Sequence, residues 1–546
     1  MLALLISLYV VGSAGASLWP LPEDVSLGRE RLFLPKDFRF LLSGDAEGSQ
    51  VLASATARYQ KLISFGHGEV LNNDVEKGAP EALESCQINV EKVISDPEAE
   101  KNSLQLGVNE KYELMVSTGT SPTAGCTISA PTVWGALRAM ETFTQLLVRE
   151  GFGSGHRVEL SSAPVSISDA PAYSHRGVMI DTSRHYLGVS VIERAIDAAA
   201  MNKMSVLHWH AVDAESFPLV TPSSPQLSDG AYSRTAVYSM DDVRHLVDYG
   251  TDRGVRIILE VNSPGHAASW TKGYPQIMAK CFRKYSYNYN DFAVNPTLEK
   301  TYEVVEGAYQ DVLGATRDGY MHLGGDEVVY GCWDDDAGIV EYKEANGIES
   351  DDALYGMYVS RVGGIAGGLG ATPIHWQEAF IAYDRSVGDD KMAFKFQPGT
   401  AFQVWSGDGD LIHDITAANF SCVASPNAYW YMDHPTSTWD VMYYYDPASG
   451  LSSSQRSLVL GGEAVMFGEL VDEGNFDAST QPKAAAVAER LWSDRQAQPD
   501  DPAVGPRYDE DMDEVRARLM DHRCRMRNRG INAAPIAPDY CSTNFV

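Results

Sequence analysis

At 546 residues the chain exceeds what one ordinary hydrophobic core serves, which predicts two domains, one of them barrel-sized. Hydrophobic residues at 44% and charged residues at 21% give the balance of a globular protein, not of a disordered or membrane-spanning one. A formal net charge of -31 repels phosphate backbones and anionic lipid, so no nucleic-acid partner is expected.

The opening MLALLISLYVVGSAGA is too short an apolar run to cross a bilayer and ends with Ala14 and Ala16 in an A-x-A arrangement. It predicts a signal peptide over residues 1–16 and entry into the secretory pathway; no later segment predicts a membrane helix. Export permits disulfides among the cysteines at 86, 126, 281, 332, 422, 524 and 541. Spacing does not fix connectivity, but closeness in sequence suggests Cys86 with Cys126, Cys281 with Cys332 and Cys524 with Cys541, leaving Cys422 over. Asn419-Phe420-Ser421 is an acceptor sequon for N-glycosylation.

Residues 17–166 mix short alternating segments, such as YELMV from Tyr112, with an amphipathic stretch, TVWGALRAMETFTQLLVRE from Thr132, and predict a small α+β domain. SSAPVSISDAPAY, from Ser161, reads as the linker. Over 167–546 the pattern becomes a repeat of short β-branched run, polar loop and helix-period segment. Candidate strands are HRGVMID, SVLHWHAVD, RIILEVN, YMHLGG, PIHWQEA, FQVW, CVASP and LVLGGEAVMF, with helices clearest at VSVIERAIDAAAMNK, MDDVRHLVDYGTDRG and TLEKTYEVVEGAYQDVLG. The expected fold class is α/β, a (β/α)₈ TIM barrel with a C-terminal helical extension, preceded by the smaller α+β domain.

In nearly every candidate strand the apolar run breaks into polar residues at its C-terminal end, where barrel enzymes carry their chemistry. Arg176 and Asp181 go with the first strand, His208, His210 and Asp213 with the second, His266 with the third, and Asp326 and Glu327 with the fourth. Trp376, Trp405, Trp430, Tyr431 and Phe467 follow. Carboxyl groups ringed by aromatic side chains suit a sugar-cleaving site, because pyranose faces pack on flat rings while an acid protonates the leaving oxygen. Adjacent carboxylates on one strand end diverge and do not flank a bond as acid and nucleophile; one acts as acid while the other holds a substrate group that itself attacks.

The ordered blocks LWPLP, ALRAMETFTQLL, RGVMIDTSRHY, HWHAVDAESFP, NSPGH, HLGGDEV, WQEAF, WYMD, GGEAVMFGE and AAAVAERLW resemble the family 20 glycoside hydrolases, the β-N-acetylhexosaminidases, along nearly the whole chain. The three cysteine pairs match the pattern of the lysosomal animal members. The resemblance implies a cofactor-independent, retaining exo-glycosidase that removes terminal β-linked N-acetylglucosamine or N-acetylgalactosamine, in which the 2-acetamido oxygen attacks C1 to form an oxazolinium. It implies Glu327 as acid and then base, Asp326 on the acetamido N–H and Tyr431 on the acetamido oxygen, with Asp213 and His266 supporting Glu327. Arg176 is expected to grip the sugar 3- and 4-hydroxyls, Glu469 the 4- and 6-hydroxyls, and Asp433 the 6-hydroxyl, which disfavours 6-sulfated sugars. Trp376, Trp405 and Phe467 are expected to wall the pocket, with Phe467 standing where the family usually has tryptophan. The implied partner is a glycan, in glycoprotein, glycolipid or chitin oligomer; the implied destination is lysosome, vacuole or medium, and dimers are common among such proteins. Trp134 and Trp492 are assigned to packing.

Two other readings compete. His208-Trp209-His210 puts both imidazoles on one strand face, as in barrel amidohydrolases that hold a divalent metal, although few further ligands accompany it. Otherwise His208 and His210 orient a loop or fill polar core positions. A non-catalytic sugar-binding barrel requires loss of Asp326, Glu327 or Tyr431, and all three are present.

Overall fold

A computed structural model describes residues 17–64, 81–119, 125–150, 157–281, 292–407, 409–493, 511–542 and 544–546. The expected signal peptide, residues 1–16, lies outside the described residues. No helix among them is long and apolar enough to cross a membrane.

Strict alternation of buried and exposed residues in YELMVS makes it a strand with one covered face. It is β4 (Tyr112–Ser117) of a sheet formed with β1 (Asp24–Leu34), β2 (Arg39–Ser43), β3 (Ser85–Lys92), β5 (Gly125–Thr132), β6 (Leu147–Glu150) and β7 (Arg157–Asp169). The order is β1-β7-β4-β5-β3-β2, with β6 on β7. The expected linker is corrected here. Residues 161–169 belong to β7, whose alternating VSISD segment pairs with both β1 and β4, so the sheet ends at Asp169. The stretch from Thr132 also divides: the helix is Val133–Gln145, capped by the Thr132 hydroxyl, and LVRE becomes β6. That helix is buried on every side, packed between its sheet and the barrel. Its polar residues are satisfied in place, Arg138 by Glu110 at 2.8 Å and by the Gly254 carbonyl at 2.7 Å.

The barrel strands are β8 (His175–Asp181), β9 (Val206–His210), β10 (Arg256–Glu260), β11 (Tyr320–His322), β12 (Thr372–Trp376), β13 (Ala401–Val404), β14 (Ser421–Ala424) and β15 (Val459–Met466). All pair in parallel, and β15 closes onto β8. Strands covered on both faces have apolar centres, and HRGVMID and RIILE, buried at every position, carry GVMI and IIL between polar ends. The helices expected after β8, β9 and β10 form as Val189–Met201, Met240–Thr251 and Glu299–Leu313. A C-terminal helix, Met512–Asn528, returns to the first domain, where Arg529 pairs with Glu141 at 2.9 Å.

Disulfides join Cys86 to Cys126, Cys281 to Cys332 and Cys524 to Cys541, and Cys422 is free and buried. The second ties the loop after β10 to the short helix just beyond Glu327.

Candidate active site

β11 stops at His322, so Asp326 and Glu327 leave the strand on a loop instead of extending its pleat. Gly324, Gly325 and Glu327 all have positive φ, at 68, 104 and 48°. At Gly324 no other residue fits, since a Cβ would lie 1.9 Å from the Asn262 side-chain oxygen. The curl corrects the expectation of diverging strand neighbours. Asp326 Oδ2 and Glu327 Oε2 each lie 3.3 Å from His266 Nε2. Such closeness alone suits a retaining pair of acids, but two groups gathered on one ring nitrogen approach a sugar from the same side.

Behind them the polar contacts are tight. Asn262 Nδ2 donates to Asp326 Oδ1 at 2.7 Å, and His266 Nδ1 pairs with Asp213 Oδ1 at 2.9 Å. Burial alone would raise the Asp326 pKa, yet the His266 charge and the bonds from His266 and Asn262 outweigh it and hold this carboxyl below its ordinary range. Burial likewise opposes the charge on His266, and Asp213 with Asp326 reverses that, raising the imidazole well above its usual value. His266 therefore stands as an imidazolium between two carboxylates.

These groups open into a cavity of about 230 Å³ at the C-terminal face of the barrel. Its size fits one sugar ring, being smaller than the roughly 300–1,000 Å³ of sites for drug-sized ligands. Trp376, Trp405, Tyr431 and Phe467 form its walls, and Asp433, His434 and Glu469 its rim. Tyr431 and Phe467 pack with ring centroids 5.5 Å apart. Trp405 donates through its indole N–H to Glu378 at 3.0 Å. A larger cavity, about 330 Å³ near Leu137 and Met201, lies away from this chemistry, and its Arg253 and Arg529 are paired with Asp197 and Glu141.

Arg176 is not in the pocket. It is the second residue of β8, at the N-terminal end, where its guanidinium bonds both oxygens of Glu110 at 2.8 Å and stacks over Trp492 at 5.0 Å. It locks the barrel to the first domain, and the assignment to sugar hydroxyls is withdrawn for it. The arginine in the pocket is Arg184, three residues past the end of β8. It pairs with Asp181 and Asp213 at 2.9 Å, reaches within 3.9 Å of Glu469 and lies 5.0 Å over the Phe467 ring. Its signal was in the sequence, in the RGVMIDTSRHY block, once the strand end is counted from Asp181. Trp430 is also displaced from the site: it is buried and donates to the Met442 carbonyl. Trp134 and Trp492 are buried in the core of the first domain.

Three further acids went unsingled in the sequence. Glu260 ends the apolar run IIL and Glu463 interrupts VLGGEAVM, and a carboxylate buried on such a run signals a buried polar network. Glu378 sits beside the pocket; burial, then the Asp326 charge, pushes its carboxyl up to about 8. His208, Glu260 and His322 lie close enough to hold a metal ion, but Glu260 Oε2 already occupies the gap between the two histidines of the H-x-H, 3.0 Å from His208 Nε2 and 2.6 Å from His210 Nδ1.

Residues 173–495 match the family model for glycosyl hydrolase family 20, catalytic domain, and residues 18–146 match that for beta-acetyl hexosaminidase like. This chain belongs to glycoside hydrolase family 20. It is 34% identical to Beta-hexosaminidase 1 of Arabidopsis thaliana over 522 residues, 95% of this chain and 91% of that protein. Against Beta-hexosaminidase subunit beta of Homo sapiens it is 34% identical over 544 residues, covering 98% and 91%. Among solved structures, Flavobacterium johnsoniae chitobiase superposes with a TM-score of 0.73 at 26% identity, covering 94% of this chain and 73% of that one. Membership makes this family 20 enzyme a retaining glycoside hydrolase of the β-N-acetylhexosaminidase type, and the metal-dependent and non-catalytic readings fall away.

Proposed function

We propose that the pocket holds a single terminal β-linked N-acetylhexosamine and that the substrate's own acetamido group is the nucleophile. The observation that carries this is the shared anchor of Asp326 and Glu327 on His266 Nε2, which places both acids on one side. Glu327 protonates the glycosidic oxygen as the C1–O bond breaks and the acetamido oxygen bonds to C1. Asp326 accepts from the acetamido N–H and offsets its developing positive charge, and Tyr431 donates to the acetamido oxygen. Water then gives a proton to Glu327 and attacks C1, opening the oxazolinium and returning the β configuration. Holding the nucleophile against C1 makes the attack intramolecular, an advantage of up to about 7–11 kcal/mol where the geometry is ideal.

Arg184 takes the 3- and 4-hydroxyls in place of Arg176, Glu469 the 4- and 6-hydroxyls, and Asp433 the 6-hydroxyl, while Trp376, Trp405 and Phe467 enclose the acetamido methyl group and the ring. Asp213 supports the acid–base pair through His266. The substrates are glycans ending in β-linked N-acetylhexosamine, and the disulfides accord with a secretory route to lysosome, vacuole or medium. Asn419, exposed in the turn before β14, carries an N-glycan in this reading.

Hydrolysis of 4-nitrophenyl N-acetyl-β-glucosaminide, followed by NMR of the anomeric proton, is the test. Release of the β-anomer first, with competitive inhibition by a thiazoline mimic, is expected. Initial release of the α-anomer, or indifference to the thiazoline, overturns the proposal.

A further inference from the structure

Below the pocket the barrel interior carries a chain of imidazoles and carboxylates beyond the Asp213–His266 pair. Asp213 Oδ2 meets His210 Nε2 at 2.7 Å, and His210 Nδ1 meets Glu260 Oε2 at 2.6 Å. The same oxygen lies 3.0 Å from His208 Nε2, whose Nδ1 meets Glu463 Oε2 at 2.8 Å. Glu463 Oε1 in turn meets His175 Nε2 at 2.7 Å. The seven groups from His266 to His175 alternate without a gap, and none is more than 3% exposed.

Hydrogen-bond chemistry fixes the protons along it. A neutral imidazole has one N–H and one lone pair, and a lone pair turned on a carboxylate oxygen is repelled. Both nitrogens of His208 and of His210 face carboxylates, so each ring must carry both protons. Burial opposes that charge, but Glu463 and Glu260 overcome it at His208, bringing it up to about 9, and Glu260 and Asp213 bring His210 up to about 10. Other donors point the same way: Trp376 donates to Glu260 Oε1 at 2.9 Å, Gln403 donates to Glu463 at 2.9 Å, and Arg184 pairs with Asp213. His322 Nδ1, 3.4 Å from Glu260 Oε1, instead accepts the Gly324 N–H at 3.1 Å, and burial lowers that imidazole's pKa, so it offers the carboxylate no proton. His175, buried at the far end, closes the chain off from solvent, so it does not feed protons from the opposite face.

We infer that Glu260, with His208, His210 and Glu463, is a positioning assembly for the acid–base step: it fixes Asp213 and keeps His266 doubly protonated and aimed at Asp326 and Glu327 throughout the cycle. Glu260 also holds the Trp376 indole, so one buried carboxylate aligns both the acid–base pair and a pocket wall. The inference rests on the proposed role of Glu327 and extends it to residues that never touch the sugar.

Glu260→Gln and Glu463→Gln are to be compared with the wild type on a 4-nitrophenyl and an unactivated alkyl N-acetyl-β-glucosaminide. Misaligned acid catalysis hurts poor leaving groups most, so kcat on the alkyl glycoside is expected to fall about 10–100-fold in Glu260→Gln, and by less in Glu463→Gln. On the nitrophenyl substrate the loss is expected within about threefold, with KM little changed. Equal losses on both aglycones in folded protein, or no loss on either, overturn the inference while leaving the wild-type mechanism standing. Should Glu260→Gln not fold, ¹⁵N-histidine NMR of the wild type decides. Buried imidazolium resonances persisting at pH 8 support the assembly, and titration of every histidine to neutrality below that pH overturns it. Failure of the wild type itself to release the β-anomer counts against the underlying reading instead.

Discussion

The two ends of the barrel treat a buried carboxylate in opposite ways. At the N-terminal end Glu110 lies between Arg138 and Arg176, which overcome burial and hold it below the ordinary range of a glutamate. At the C-terminal end Glu378 lies near Asp326 and Glu327 and accepts from the Trp405 indole, and its carboxyl rises to about 8. One end matches charge to opposite charge and fastens two domains. The other gathers like charges around a cavity and gives up stability to keep acids available for chemistry.

Perturbing each end should separate activity from stability. The largest effect is expected at the pocket, where Glu327→Gln should slow substrates with poor leaving groups by about 10²–10⁴ and activated aryl glycosides much less, with folding unchanged. A leaving-group series with equal slowing throughout would remove Glu327 from the acid role. The arginine pair sharpens the contrast. Arg176→Met should cost about 3–5 kcal/mol in denaturant unfolding by leaving Glu110 short of a partner, yet spare kcat and KM of the protein that folds. Arg184→Lys should raise KM by about tenfold with little change in unfolding, because a single ammonium does not replace a planar fork on two hydroxyls. A reversed pattern between the two would place the sugar contact at the wrong end.

Smaller changes follow on the same end. Phe467→Trp, in a wall where the cation of Arg184 already lies over the ring, should improve kcat/KM by about two- to fivefold through added stacking area. An unchanged or worse value discards that role for the ring. Glu378→Gln should act mainly on stability. The folded state keeps a proton that the unfolded chain releases near pH 4.5, so wild-type stability falls as pH rises from there to about 8. The variant should therefore gain roughly 2 °C in Tm at pH 8 and nothing at pH 4. A gain of equal size at both pH values would point to packing instead of charge.

Much of the site was readable because its residues follow strand ends. Asp326, Glu327, Tyr431 and Glu469 each come just after an apolar run, and the cavity collects them. Asp213 and His266 were found in the same way, behind the acids instead of at the surface. Arg176 was misread because a strand has two ends: it opens β8, whereas Arg184 lies three residues beyond its close. At about 3.3 Å per residue, that separation carries them to opposite faces of the barrel. The stretch after Ser161 was misread because Ser, Pro and Ala suggest a loop when the neighbours are unknown; β1 and β4 supply the ladder that makes it a strand.

Local chemistry in the chain itself was enough to determine the eight barrel strands, the acids on their C-terminal loops and the family, since apolar periodicity and short motifs are written in consecutive residues. Only the folded barrel decided which arginine meets the pocket, that two adjacent acids converge on one imidazole, and that Asp213, Glu260 and Glu463 link four histidines into one chain. Those facts depend on contacts between strands 50 to 288 residues apart, and in a low-dielectric interior such contacts, not residue type, set charge and orientation.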